Sequence, residues 1–303
     1  MTDSAMNVGF IGLGAMGSRM AGVLLAAGHS VTGYDRYGEA VKALAAKRGR
    51  AADSAAAASA GADALVLMVV NADQASAVLF DDGALDALQP GALVISCVTM
   101  PAAASEAIGR RVDETGRLYL DAPVSGGTVG AEQGTLTFMV GGSDAAFARA
   151  EPLLQAMGGN IFRLGNRPGP GSTMKMVHQL AAGCNLAVAA EVMSFGTHLG
   201  LDPAQVLEVL NVSAGRSWMI GDRGPRMLIE GRESKSAVDI FVKDLGIVLD
   251  AARGARFPVP VSAAALQVFL GASSAGFGAY DDSQATRFYE SLGGKSVHPP
   301  EKS

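Results

Sequence analysis

The stretch VGFIGLGAMGSRM, residues 8–20, constrains this chain more than any other: Gly12, Gly14 and Gly17 make a G-x-G-x-x-G between a strand-like run, NVGFI (7–11), and the start of a helical segment. The glycine pattern alone is weak evidence. Here a second strand-like run, SVTGY (30–34), follows, and Asp35 closes it 18 positions past Gly17. That is the spacing of a strand–loop–helix–strand unit that binds a dinucleotide. Gly12 permits the tight turn, Gly14 lets the backbone approach a pyrophosphate, and Gly17 lets the helix lie close on the strand. Leu13, Ala15 and Met16 complete a loop at the positive end of that helix. Asp35 can accept both hydroxyls of an adenosine ribose and repels a 2′-phosphate, so NAD is expected ahead of NADP. Arg36 pulls the other way, because a guanidinium can hold that phosphate.

The first half of the chain alternates short β-branched runs with helix-length, alanine-rich segments. Further strand candidates are ALVLMVV (64–70), ALVIS (92–96), LYLDA (118–122), TLTFMVG (135–141) and NIFRL (160–164). This alternation predicts an α/β domain, a Rossmann-type doubly wound and mostly parallel sheet with helices on both faces. The run AADSAAAASAGA (51–62) lies between two strands and reads as a short helix or connector. At GNRPGPG (165–171) the alternation stops, and only helical periodicity follows. The first helix there is expected from about Ser172 to Leu199, capped by Ser172 or Thr173 and ended by Gly200 and Pro203. Pro203 and Pro260 read as first-turn prolines. The division therefore falls near residue 167: residues 1–166 form the dinucleotide-binding domain, and residues 167–303 an all-α domain for substrate and subunit contacts.

With 303 residues, 49% of them hydrophobic and 17% charged, the chain has ample material for two cores. A net charge of −5 offers no basic field, so neither nucleic acid nor an anionic membrane surface is expected as a partner. The longest apolar run, ALVLMVV, is strand-sized and far short of the roughly 20 residues a membrane helix needs. Cys97 and Cys184 cannot form a disulfide framework and have no neighbouring ligands at metal-site spacing. They read as buried thiols in a reducing, cytoplasmic setting, with no leader peptide at the N-terminus and no metal site.

Within GPGSTMKMVHQLAAG (169–183), Lys175, His178 and Gln179 stand at i, i+3 and i+4 and share one helix side. Taken alone this pattern fits a solvated face. It is nonetheless a polar patch whose residue types can take and return a proton. A first-turn lysine feels the positive end of the helix dipole, and burial also disfavours its charged form. Lys175 is the preferred base, with His178 the alternative. Ser125, Gly126 and Gly127 follow a strand end and Pro123, and their N–H groups can form a cradle for a carboxylate, although Ser-Gly-Gly is also common turn chemistry. Val70, Asn71 and Gln74 lie where a doubly wound sheet presents groups to its ligand. Lys243 beside Asp244 fits a surface ion pair. Trp218 reads as a core or interface anchor, Arg216 and Arg223 as solvated, and the tail from 293 to 303, with His298, as loose.

Together, FIGLGAMGSRMAGVLLAAGH, SCVTMP, DAPVSGGTVGAEQGTLTFMVGG, GPGSTMKMVHQ and FVKDL resemble the β-hydroxyacid dehydrogenases, the family of 3-hydroxyisobutyrate, tartronate semialdehyde and L-threonate dehydrogenases. The resemblance covers nearly the whole chain. It implies an NAD(P)-dependent oxidoreductase that acts on the alcohol of a small hydroxy acid and works as a homodimer or homotetramer. By the same resemblance Lys175 is the general base, Ser125, Gly126 and Gly127 hold the substrate carboxylate, Thr99 lies near the nicotinamide ribose, and Lys243 reaches the cofactor or substrate. Where the family has two asparagines after the lysine, this chain has His178 and Gln179, which together with SWM (217–219) look most like the L-threonate dehydrogenase branch. A buried polar pair implies more hydroxyls to satisfy, because each unpaired group would cost about 1–3 kcal/mol. A sugar acid such as L-threonate is thus expected ahead of 3-hydroxyisobutyrate, tartronate semialdehyde or a β-hydroxy amino acid. An imine reductase or a non-catalytic nucleotide-binding module are the rival readings; the first lacks this lysine. Leu186, Val188, Val192 and Phe195 lie all round the long helix, which suggests burial on several sides and a partner subunit.

Overall fold

The computed structural model describes residues 5–230 and 234–298. The chain divides into two compact units, 1–175 and 176–303.

In the first unit nine strands form one sheet: β1 (Asn7–Ile11), β2 (Ser30–Tyr34), β3 (Arg50–Ala51), β4 (Ala64–Leu67), β5 (Leu93–Ser96), β6 (Leu118–Asp121), β7 (Val124–Ser125), β8 (Leu136–Gly141) and β9 (Gly158–Gly165). Their order is β3-β2-β1-β4-β5-β6-β8-β7, with β9 paired to β8. The strands from β3 to β6 are parallel, and β8 runs antiparallel to both β6 and β7. Central parallel strands must bury both faces, and β4 and β5 do so at every residue. Along β4, Val66 points into one core with Phe10, Met20 and Leu153, while Leu65 and Leu67 point into the other with Leu79, Leu85 and Val112. The strand order reverses direction between β1 and β4, where a doubly wound sheet opens its ligand crevice.

Helices α1 (Gly17–Ala26), α2 (Gly38–Ala46), α3 (Ala55–Ser59), α4 (Ala72–Ser76), α5 (Ala84–Ala87), α6 (Ala102–Asp113), α7 (Gly127–Gln133) and α8 (Asp144–Met157) connect these strands. The alanine run holds α3, capped by Ser54, whose hydroxyl accepts from the Ala57 N–H. Two short strands escaped the sequence reading: β3 and β7 have two residues each, too few to show a period. β4 stops at Leu67 instead of Val70 because the chain turns to start α4.

Helix α9 (Pro170–His198) leaves the first unit after six residues and continues through the second. There it is joined by α10 (Pro203–Val212), α11 (Trp218–Met227), α12 (Val238–Ala255), α13 (Pro260–Ala272) and α14 (Arg287–Ser291). Pro203 and Pro260 both occupy first-turn positions. The core of this unit gathers Leu186 and Met193 of α9, Phe241 and Leu245 of α12 and Phe269 of α13, with Phe241 stacked on Phe269 at 5.1 Å. The tail is packed as far as it is described: Val297 is fully buried, and Ser296 and His298 both reach Glu290. Residues 299–303 lie outside the described residues. Two spans, Pro170–His198 and Pro260–Phe277, are long and apolar enough to cross a membrane, so the run 64–70 is not the longest apolar segment; 61% and 28% of their most apolar windows are buried inside the protein. Scattered Gly, Ala and Ser residues hide such helices from a search for unbroken apolar runs.

Candidate active site

The three loop glycines meet three different demands. Gly12 has φ +93°, and a Cβ there would lie 2.4 Å from the Met68 carbonyl oxygen. A Cβ at Gly17 would lie 1.8 Å from the Gly12 carbonyl oxygen, so only glycine lets α1 start this close to the turn. Around Gly14 no atom lies within 4 Å of such a Cβ, which leaves that side open for a ligand. The Gly12 N–H donates to the Tyr34 carbonyl, tying the loop to the end of β2. Asp35 follows directly: its Oδ2 accepts from the Leu13 N–H at 2.6 Å and its Oδ1 from the Tyr37 N–H at 2.9 Å. No side chain caps α1 at Met16, and the Ser18 and Arg19 N–H groups donate to the Gly14 and Met16 carbonyls of the turn itself, so the positive end of the helix is left without a side-chain acceptor. An open Gly14, an uncapped helix and an acid fixed at the loop fit a dinucleotide's pyrophosphate and ribose. Arg36 is exposed beside Asp35.

Farther along the same sheet edge, Val70 is exposed, and Asn71 and Gln74 hold each other's segment. The Gln74 N–H donates to Asn71 Oδ1 at 2.9 Å, and the Val70 N–H donates to Gln74 Oε1 at 3.0 Å. This reciprocal cap shapes the turn after β4. Thr99 is half-buried in the loop after β5.

Ser125 ends β7, and Gly126 and Gly127 follow with φ of +132° and +62°, a backbone path reserved for glycine. Just before them stands a residue to which the sequence reading gave no role. Asp121, at the end of β6 and 1% exposed, accepts from the Gly169 N–H at 2.9 Å, the Ser172 N–H at 2.8 Å and the Ser172 hydroxyl at 2.6 Å. Burial pushes its carboxyl above the ordinary range in spite of these bonds. Asp121 therefore caps α9 from another element, and the helix starts at Pro170, not at Ser172. Ser172, expected as the cap, is a donor to it instead. Gly171 presses this first turn onto the sheet, where a Cβ would meet the Met139 carbonyl oxygen at 2.4 Å.

This start places Lys175 sixth in α9, in the second turn rather than the first. The dipole acts mainly within the first turn, so its effect on Lys175 is smaller than the sequence suggests. Lys175 is 7% exposed, and so is Gln179, which rules out the solvated face that the pattern alone suggested.

In the second unit Gln179 belongs to a buried chain of hydrogen bonds. Its Nε2 donates to Asp244 Oδ2 at 2.5 Å, its Oε1 lies 2.9 Å from His178 Nδ1, and Lys243 Nζ donates to Asp244 Oδ1 at 2.5 Å. Asp244 is 2% exposed, so its pair with Lys243 is not the surface ion pair expected from the sequence. A signal for this was present: Phe241, Asp244, Leu245 and Val248 share the i, i+3, i+4, i+7 stripe of α12 that faces the core. Trp218, read as a core or interface anchor, is not in the core: it is 59% exposed, because it opens α11 just after the Ser217 cap. One further expectation fails. Arg223 is buried against Asp282 instead of solvated. Cys184 is only half-buried, whereas Cys97 is fully so.

These features define an NAD(P)-dependent oxidoreductase. Residues 7–165 match the NAD-binding domain of 6-phosphogluconate dehydrogenase, and residues 169–289 match the NAD-binding domain of NADP-dependent 3-hydroxyisobutyrate dehydrogenase. An L-threonate dehydrogenase of Cupriavidus necator is 46% identical over 94% of this chain and 97% of its own. A 3-hydroxyisobutyrate dehydrogenase of Pseudomonas aeruginosa is 36% identical over 89% of this chain and 91% of its own. Among solved structures, a 3-hydroxyisobutyrate dehydrogenase from Salmonella typhimurium superposes with a TM-score of 0.90 at 42% identity, covering 93% of this chain and 99% of that one. The chain belongs to the 3-hydroxyisobutyrate dehydrogenase-like family of β-hydroxyacid dehydrogenases, enzymes that act on the alcohol of a small hydroxy acid.

Proposed function

We propose that this enzyme oxidises a polyhydroxy acid, with L-threonate as the leading substrate and NAD ahead of NADP. The observation that carries this reading is the burial of Lys175 and Gln179 one turn apart on α9 with His178 between them. Gln179 is held there by Asp244 and His178, so this polar side of α9 is built into the interior instead of turned to solvent. A nicotinamide held by this domain would supply the acceptor for the hydride that leaves carbon. Lys175, as a neutral amine, takes the proton of the same hydroxyl and steadies the alkoxide as it forms. Ser125, Gly126 and Gly127 hold the carboxylate, and His178 meets a second hydroxyl. On the cofactor side, Gly12 to Gly17 take the pyrophosphate and Asp35 the ribose. Val70, Asn71, Gln74, Thr99 and Lys243 are assigned to the cofactor, with Asn71 and Gln74 acting through the turn they brace. Residues 1–166 serve as the cofactor domain and 167–303 as the substrate and subunit domain.

The reading extends to a cytoplasmic homodimer or homotetramer. Val188 and Phe195, seven residues apart on α9, and Leu199 just past its end are exposed apolar side chains, a surface that a second copy would cover.

The test is reduction of NAD and of NADP, followed by absorbance, with L-threonate, D-threonate, D-glycerate, 3-hydroxyisobutyrate, 3-phenylserine and L-serine. A rate on L-threonate well above the others, lost in Lys175→Met while NAD still binds, is the expected result. Turnover mainly of 3-hydroxyisobutyrate would overturn the assignment of His178, and silence across the panel with NAD bound would overturn the activity.

A further inference from the structure

We infer that Asp35 is a positioning residue of the pyrophosphate loop in addition to its place at the ribose: by accepting from the Leu13 N–H it holds the loop in the shape that receives the diphosphate. This rests on the reading that Gly12 to Gly17 take the pyrophosphate and Asp35 the ribose.

Leu13, between the first two glycines, is held by its side chain and by its backbone. The side chain is 2% exposed and lies in the core with Val31 and Leu44, so close to β2 that a Cβ at Gly33 would stand 3.1 Å from Leu13 Cδ1. The N–H donates to Asp35 Oδ2 at 2.6 Å, one residue beyond the bond from the Gly12 N–H to the Tyr34 carbonyl at 3.0 Å. Gly12 and Leu13 thus both spend their N–H groups on the end of β2. Gly14, Ala15, Met16 and Gly17 come next, and among the described residues none of their N–H groups donates to a protein acceptor. Leu13 is the last tied residue before this run of donors, so its peptide sets the direction in which they point. A half-buried N–H that loses its acceptor is costly. Without the carboxylate the Leu13 peptide would turn toward water and carry its neighbours with it.

The carboxylate has room for both tasks. Its two oxygens offer about four acceptor positions. The Leu13 N–H takes one on Oδ2 and the Tyr37 N–H one on Oδ1 at 2.9 Å, which leaves one on each oxygen for a ribose hydroxyl. The two protein bonds differ in weight. The bond to Tyr37 is exposed, where water can replace the carboxylate, whereas the bond to Leu13 is half-buried. Loss of the acid therefore disables the loop along with the ribose contact.

The test compares NADH with its 2′,3′-dideoxyadenosine analogue, which keeps the pyrophosphate but has no hydroxyls for Asp35 to accept. Affinities of the full-length chain are read by fluorescence titration. Asp35→Asn and Asp35→Ala both remove the charge, and only asparagine keeps an oxygen for the Leu13 N–H. Asp35→Asn should bind the analogue within about twofold of the wild type, and Asp35→Ala about tenfold or more weaker. Equal affinity of the two variants for the analogue overturns the inference. Hydrogen exchange in the cofactor-free wild type needs no variant to fold. There the Leu13 amide should exchange at least about tenfold more slowly than those of Gly14 and Ala15 after correction for intrinsic rates, and equal rates overturn the inference as well. If Asp35→Ala weakens NADH but not the analogue, the acid serves only the ribose: the site reading stands and the fastening role falls. If NADH binds without changing exchange at Gly14 to Gly17, the site reading falls and this inference with it.

Discussion

Replacing Asp121 should separate the geometry of a cap from its charge. Asp121→Ala leaves the N–H groups of Gly169 and Ser172 in a buried site without an acceptor. Each orphaned buried donor costs about 1–3 kcal/mol, while the Ser172 hydroxyl can turn to a helix carbonyl. Against this stands the relief of a poorly solvated carboxylate, since burial is the largest influence on Asp121 and holds its carboxyl above the ordinary 3.8. The net expectation for alanine is a loss of about 2–4 kcal/mol. Asp121→Asn keeps one oxygen for the two N–H groups, and its NH₂ can donate to the Ser172 hydroxyl. It should cost under about 1 kcal/mol. The pH dependence agrees in sign. A carboxyl whose pKa is raised in the fold binds its proton more readily there than in the unfolded chain, so this group favours the fold more as pH falls from above its folded pKa toward 3.8. The asparagine variant lacks that contribution. Urea unfolding, combined with hydrogen exchange at the Gly169 and Ser172 amides, measures both variants. Equal costs for asparagine and alanine would mean that the charge is required, and would refute the argument that burial outweighs it.

Other expectations follow from single contacts. Gly14→Ala has open space around the new methyl and should leave Tm unchanged while weakening NADH binding in a fluorescence titration; Gly17→Ala, whose methyl meets a carbonyl at 1.8 Å, should lose both. Iodoacetamide should label Cys184 in the native protein well before Cys97, whose thiol burial pushes up to about 12; mass spectrometry showing Cys97 modified first would contradict its burial. Glu290 is held at about 2: burial alone would raise it, but bonds from His298, Ser296 and Arg287 lower it. Its lowered pKa stabilises the fold above the ordinary 4.5, and that contribution is lost as pH falls through 4.5 toward 2, so Glu290→Gln should flatten the acid side of the stability curve.

Most of the sheet was legible because buried parallel strands leave a strong local record. The runs at 7–11, 30–34, 92–96 and 118–122 match β1, β2, β5 and β6 to within a residue at each end. What was not legible depends on pairing. Nothing local in TLTFMVG tells that β8 runs antiparallel to β6, and no period can emerge from the two residues of β3 or β7. The ends of β4 and α9 moved for a related reason: each boundary is set by a side chain that accepts backbone N–H groups. Gln74 and Asn71 brace one turn locally, whereas Asp121 acts from 48 residues away.

The candidate site divides in the same way. Gly12, Gly14, Gly17 and Asp35 stand out in the chain because a dinucleotide demands those residue types at fixed spacings within one strand–helix–strand unit. Lys175 is proposed as the base because deprotonating an alcohol leaves few residue types to choose from. The residues that hold this machinery in place answer to no such rule, and Asp121 and Asp244 look like any other acids until their burial is known. Yet each leaves a trace. Asp244 stands on the apolar stripe of α12 with Phe241, Leu245 and Val248, and Asp121 ends a strand whose last three residues are buried. An acid at a position that periodicity assigns to the core is unstable there without donors, so it carries information about distant partners: N–H groups of a helix start for Asp121, an amide and an ammonium for Asp244. Both bind to α9, the helix that bears Lys175, His178 and Gln179. Misplaced acids in a sequence are therefore where the supports of a site should be sought, after the reactive groups have been found by their chemistry.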